Sequence, residues 1–119
     1  MTINERIIQA VTPVVPACVP DFYDPNQNDA AEEFCVFSYS EEPDFFADNR
    51  PLQLRYDIVL QWAMSLKKNA LASKVNLQKA LLDAGFTIID VVNVSDDVFQ
   101  AYEFSLQYTE WLNGQEVQP

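Results

Sequence analysis

The clearest pattern in the chain is a strict alternation. Leu52, Leu54, Tyr56, Ile58, Leu60 and Trp62 interleave with Gln53, Arg55, Asp57, Val59 and Gln61, which predicts a strand over 52–62 with one face in a core and the other wet. The period then changes. Over 68–84, Ala70, Leu71, Val75, Leu77, Leu81 and Leu82 recur at helical spacing, with Lys67, Lys68, Lys74, Gln78 and Lys79 outside that broad apolar face. Gly85 follows where a left-handed helix stop wants glycine, and Phe86 is placed to fold back on the last turn.

Upstream, Thr2 or Asn4 can cap a short helix carrying Ile3, Ile7, Ile8 and Val11 on one face, and Pro13 and Pro16 end it near Val14. Residues 15–32 hold three prolines (Pro16, Pro20 and Pro25) and show no sustained period, so they read as a long loop. The run 34–39 (Phe-Cys-Val-Phe-Ser-Tyr) reads as an interior strand, and 41–50, with Pro43 and Asp48-Asn49, as a second, acidic loop. Residues 86–94 are strand-like, with an alternation that breaks near Asp90 and suggests a bulge or a stretch buried on both faces. Ser95-Asp96-Asp97 is turn chemistry, 98–109 alternates again, and 113–119 is a polar tail.

This order (helix, strand, strand, helix, strand, strand) predicts a single α+β domain over 1–119. It is a two-layer sandwich in which helices cover one face of an antiparallel or mixed four-stranded sheet. A length of 119 residues suits one core, and the 49% apolar content excludes a disordered chain. No apolar stretch approaches the ~20 residues of a spanning helix, and the N-terminus lacks a basic start followed by an apolar run, so a cytoplasmic protein without membrane contact is expected. In that compartment Cys18 and Cys35 are expected as free thiols.

Charge narrows the function. Eighteen acids stand against seven bases, a net charge of −11, and such a chain repels phosphates, so no sequence-specific nucleic-acid binding is expected. The excess is lopsided: no basic residue lies between Arg6 and Arg50, where Asp21, Asp24, Asp29, Glu32, Glu33, Glu41, Glu42, Asp44 and Asp48 crowd together.

Candidate chemistry is sparse. There is no histidine, and Gly85 and Gly114 are the only glycines, which removes the commonest general base and any glycine-rich phosphate loop. Asp24, Asn26 and Asn28 match the first three ligand positions of a calcium loop, yet Asp29 stands where the glycine belongs and Cys35 where the bidentate glutamate belongs. The adjacent carboxylates Asp96-Asp97 and Glu41-Glu42 read as solvated pairs, and Tyr56, Trp62, Phe104 and Tyr108 as core aromatics. No enzyme, metal or other cofactor is expected. Phe45-Phe46 differs, because no core periodicity calls for two phenylalanines in an acidic loop, so they are read as a partner contact.

Three stretches carry a family resemblance. Residues 33–39 (Glu-Phe-Cys-Val-Phe-Ser-Tyr), the acidic segment 41–49 (Glu-Glu-Pro-Asp-Phe-Phe-Ala-Asp-Asn) and 54–62 (Leu-Arg-Tyr-Asp-Ile-Val-Leu-Gln-Trp) follow one another, and 79–87 and 102–108 continue the likeness. Together they resemble the tail terminator and minor tail proteins of siphophages and related prophages. The resemblance implies a structural virion subunit assembled in the host bacterial cytoplasm. Such a subunit forms a ring, usually a hexamer, that caps the head-proximal end of the tail tube. Its partners would be further copies of itself, the tail tube protein and a neck or head-completion protein, with DNA passing through the ring. The interface residues expected on this reading are Phe45, Phe46, Arg50, Arg55, Glu41, Glu42, Asp44 and Asp48. The alternative is another head-completion protein, or an acidic inhibitor that mimics DNA and binds a host or phage protein.

Overall fold

The computed structural model describes residues 1–20, 33–47 and 50–111, with side chains described over 1–20, 33–43 and 53–110. The described residues form an α+β fold of two helices and a five-stranded mixed sheet: α1 (Ile3–Val11), β1 (Cys18–Pro20), β2 (Glu33–Ala47), β3 (Arg50–Ser65), α2 (Ala70–Asp83), β4 (Thr87–Asn93) and β5 (Phe99–Trp111).

α1 begins where its sequence says it should. Thr2 Oγ1 accepts from Glu5 N–H and Glu5 Oε1 accepts from Thr2 N–H, a reciprocal capping box that satisfies two amides the helix leaves open. The helix ends at Val11 with Thr12 as its cap, a turn earlier than Pro13 and Pro16 alone require. α2 is capped by Asn69, whose side chain accepts from Leu71 N–H at 3.1 Å. It stops at Gly85, with φ +93°, and Phe86 N–H donates back to the Leu81 carbonyl at 3.1 Å. That bond and the buried Phe86 ring form a Schellman-type stop.

The sheet order is β1-β2-β3-β5-β4. β1 runs parallel to β2, and every other neighbouring pair is antiparallel. β3 is the spine. Its 16 residues at ~3.3 Å each span about 53 Å, matching the longest dimension of the molecule, 54 Å.

The register puts the even residues of β3 on one face: Tyr56, Ile58, Leu60, Trp62 and Met64 are buried. Cys35 and Phe37 of β2 and Phe104 and Leu106 of β5 share that face. Against it pack Ile3, Ile7 and Val11 of α1 and Ala70, Leu77 and Leu81 of α2, so one core lies between the helices and the sheet. The odd residues of β3 face away from the helices and are half-buried or exposed. Polar pairs tie this open face together: Gln61 donates to Glu103 at 3.2 Å and Gln107 to Asp57 at 3.1 Å.

Four details differ from the sequence-based expectation. The sheet has five strands, because Cys18–Pro20 within the expected loop 15–32 pairs with Cys35–Phe37; three residues of parallel strand carry no periodicity of their own. The acidic stretch expected as a loop over 41–50 is strand instead, β2 running on to Ala47 and β3 starting at Arg50. Glu42 sits opposite Arg55, so charge supports the pairing there. Among the described residues no strand covers β2 beyond Phe37, and an edge strand is where a sheet tolerates Pro43. Leu71, Val75 and Leu82, expected on the buried face of α2, are exposed. Val98, expected on the core face of the last strand, is likewise exposed and lies in the turn. The break near Asp90 is a β-bulge, with the register shifting between Ile88 and Asp90.

Candidate functional site

The β2–β3 hairpin is the feature that departs most from a closed core. Cys35 and Phe37 are buried, but from Ser38 to Pro43 every residue of β2 is exposed, whichever face it occupies. Because side chains alternate, Tyr39, Glu41 and Pro43 lie on the helix side of the sheet and Ser38, Ser40 and Glu42 on the open side. Glu41 and Glu42 therefore point to opposite faces and cannot work as a paired acid and base.

Each expected interface residue on the hairpin can be placed. Arg55 is ion-paired with Glu42 and lies 3.5 Å from Asp57, so its charge is engaged inside its own chain. Glu41 is exposed and has no ion-pair partner among the described residues. Asp44, Phe45, Phe46 and Arg50 lie on the strand backbone near the hairpin end, and their side chains are outside the described residues, as is the whole of Asp48.

At the root of the hairpin the aromatic ring of Tyr39 meets that of Tyr56 edge-on at 5.7 Å. Tyr56 Oη donates to Glu110 at 3.4 Å. Burial, with Glu110 and Glu41 nearby, pushes the Tyr56 phenol up to about 12, so it stays neutral and serves as a packing and hydrogen-bonding group.

The open face holds a shallow trough of about 490 Å³, bordered by Ser38, Ser40, Asp57, Val59, Ser105 and Gln107. Its one carboxylate is already hydrogen-bonded by Gln107. A wide, shallow trough of small side chains offers a flat surface and lacks the enclosure that catalysis by a desolvated group needs.

The cysteines come together although their spacing offers no sign of it. Cys18 and Cys35 are register partners on neighbouring parallel strands, both buried and both free thiols. Burial pushes the Cys18 thiol up to about 12, and burial with Cys18 alongside raises Cys35 further still. These are packing thiols and not nucleophiles.

Asp96 and Asp97 lie in the β4–β5 turn. Asp96 Oδ1 accepts from the amides of Val98 and Phe99 at 2.7 and 2.8 Å, which holds its carboxyl below the ordinary range. It is a turn former. Asp24, Asn26 and Asn28 fall outside the described residues; among those described, no three His, Cys, Asp or Glu side chains gather as a metal site. Nor is any described helix long and apolar enough to cross a membrane.

One surface escaped the sequence reading. Leu71, Val75 and Leu82 are 70%, 63% and 56% exposed. At ~100° per residue they fall within about 40° of arc on α2, forming a single stripe. The signal was present in the breadth of the apolar face: one helix side packing on a sheet has no room for all of Leu71, Val75, Leu77, Leu81 and Leu82. Neither a protein-family model nor a curated protein matches the chain.

Proposed function

We propose that this protein is a structural subunit of a long-tailed phage particle, a tail terminator that caps the head-proximal end of the tail tube as a ring, usually a hexamer, and joins it to the neck. The observation that carries the reading is the β2–β3 hairpin: strands of 15 and 16 residues in which β2 is exposed on both faces from Ser38 to Pro43, while the β3 residues opposite, such as Tyr56, stay in the core. A single chain gains little by exposing such an arm, whereas a subunit that must reach its neighbours needs one.

Three further points support it. The likeness of 33–39, 41–49 and 54–62 to tail terminator sequences falls on this hairpin. The side chains described offer no activated acid, base or nucleophile, which fits a scaffold. A net charge of −11 lets DNA pass a ring lumen without sticking.

On this reading Asp44, Phe45, Phe46 and Arg50 at the hairpin end, with Glu41, Glu42 and Arg55 along it, meet the neighbouring subunit, the tube protein or the neck protein, and so does Asp48, which lies outside the described residues. The test is electron microscopy of the phage's tail tube protein polymerising with and without this chain. Capped tubes of limited length are expected. Tubes that grow unchanged at excess terminator contradict the proposal, and a Phe45→Ser/Phe46→Ser variant that caps normally moves the contact elsewhere.

A further inference from the structure

The charge of the described surface is segregated in a way the net value hides. Four of the seven basic residues, Lys67, Lys68, Lys74 and Lys79, lie on α2 or the turn before it, while β2 carries Glu33, Glu41, Glu42 and Asp44 and no base. Lys68 is committed to Glu33 at 3.7 Å, and Lys74 sits 5.1 Å from the ring centroid of Tyr102. Lys79 is exposed and has no ion-pair partner among the described residues.

Lys79 and Lys74 flank the stripe of Leu71, Val75 and Leu82 on opposite sides, by their helical positions. The stripe extends over about 16 Å of helix at ~1.5 Å per residue. On the hairpin, Tyr39, Glu41 and Pro43 occupy alternate positions of one face, all exposed: an aromatic ring, a carboxylate without an ion-pair partner among the described residues and a proline, in a row of about 13 Å at ~3.3 Å per residue. Each patch is an apolar row edged by a charge without an ion-pair partner among the described residues, Lys79 on α2 and Glu41 on the hairpin, and the two charges are opposite.

We propose that the occupant of the α2 stripe is a second copy of this chain, whose Tyr39–Glu41–Pro43 flank lies along Leu71, Val75 and Leu82 with Glu41 reaching Lys79. The contact rests on the ring reading above and names its two surfaces. They are different patches, so the contact is heterologous and repeats from copy to copy until the ring closes. Burial of the apolar rows supplies the attraction, and the Glu41–Lys79 pair fixes register and direction.

Native mass spectrometry of the pure protein at 0.15 M salt, beside thermal melts of each variant, tests it. The parent assembles; Leu71→Ser/Val75→Ser/Leu82→Ser still melts cooperatively as a folded protein but stays monomeric, with a melting temperature lowered by the lost association. Lys79→Glu weakens association about tenfold, since an exposed attraction worth up to about fivefold becomes a repulsion. Adding Glu41→Lys to that chain restores assembly. If the charge swap fails to restore what Lys79→Glu removes, the hairpin flank is not the occupant. A parent that forms rings, with a serine triple variant that forms them equally, overturns the inference and leaves the ring reading standing. A parent that never associates overturns both.

Discussion

The indole Nε1 of Trp62 donates to Oε2 of Glu33 at 2.7 Å. Trp62 is fully buried on the core face towards the end of β3, stacked on Tyr102 at 5.6 Å and edge-on to Phe104 at 6.4 Å. Glu33, at the first residue of β2, gives that ring its one polar partner and carries Lys68 on its other oxygen at 3.7 Å. The bond ties the start of β2 to β3 and to the turn before α2, so a charged residue at the sheet's rim completes an apolar core. Glu33→Leu leaves the indole N–H buried and unpaired and costs about 1–3 kcal/mol. Glu33→Gln keeps an acceptor and costs less. Urea denaturation of the two variants checks the order, and equal losses would mean that charge, not the hydrogen bond, is what the site needs.

The two faces of α2 make opposite predictions. Leu81 is fully buried and Leu71 is 70% exposed. Leu81→Ala is expected to cost about 2–5 kcal/mol, whereas Leu71→Ala changes stability by less than about 0.5 kcal/mol. Denaturation midpoints of the two variants measure this, and a Leu81→Ala protein as stable as the parent would mean that the helix is packed on another side.

This contrast also marks how far the sequence is legible. The alternation over 52–62, the helix over 68–84 with its Gly85 stop, and the break at Asp90 could all be read, because each is a local consequence of one buried and one wet face or of backbone geometry. What could not be read depends on partners distant in the chain. Cys18–Pro20 is strand only because Cys35–Phe37 lies alongside, and Glu41, Glu42 and Pro43 are strand only because Tyr56, Arg55 and Leu54 stand opposite. Of the expected site residues, Glu41, Glu42 and Arg55 are placed on one hairpin, with Arg55 turned to its own chain. The exposed stripe on α2 was hidden in an apolar pattern that fits core packing equally well until the buried arc is known.

Alkaline pH is expected to destabilise the protein. The thiol of Cys18 rises from an ordinary 9.0 to about 12 in the folded state, Cys35 rises further, and the Tyr56 phenol goes from 10.0 to about 12. Below the ordinary values both states hold these protons and stability is intact. As pH climbs through 9 and 10 towards 12, the unfolded chain releases protons that the folded chain keeps, so stability falls across that window. Urea midpoints at successive pH values check the fall, and Cys18→Ala/Cys35→Ala is expected to flatten its lower part. For the same reason both thiols resist an aqueous thiol reagent until the protein unfolds.

Calcium is expected to leave the protein unmoved, since the match of Asp24, Asn26 and Asn28 to a calcium loop lacks the glycine and the bidentate glutamate. Thermal melts at roughly 1 mM calcium, the weak end of protein calcium sites, should superimpose on melts in chelator. A rise in melting temperature that disappears in Asp24→Ala would overturn this.

The central claim is that the chain works by assembling. At −11 per subunit, copies repel at long range, and salt shortens that repulsion from about 30 Å at 0.01 M to about 8 Å at 0.15 M. The short-range contacts survive that change, so assembly is expected to be salt-assisted. The most direct measurement is native mass spectrometry or light scattering of the pure protein across this salt range, alone and with the tail tube protein. The account predicts one closed oligomer, more abundant at 0.15 M than at 0.01 M and retained on the tube. A protein that stays monomeric at every salt concentration and ignores the tube protein would contradict it.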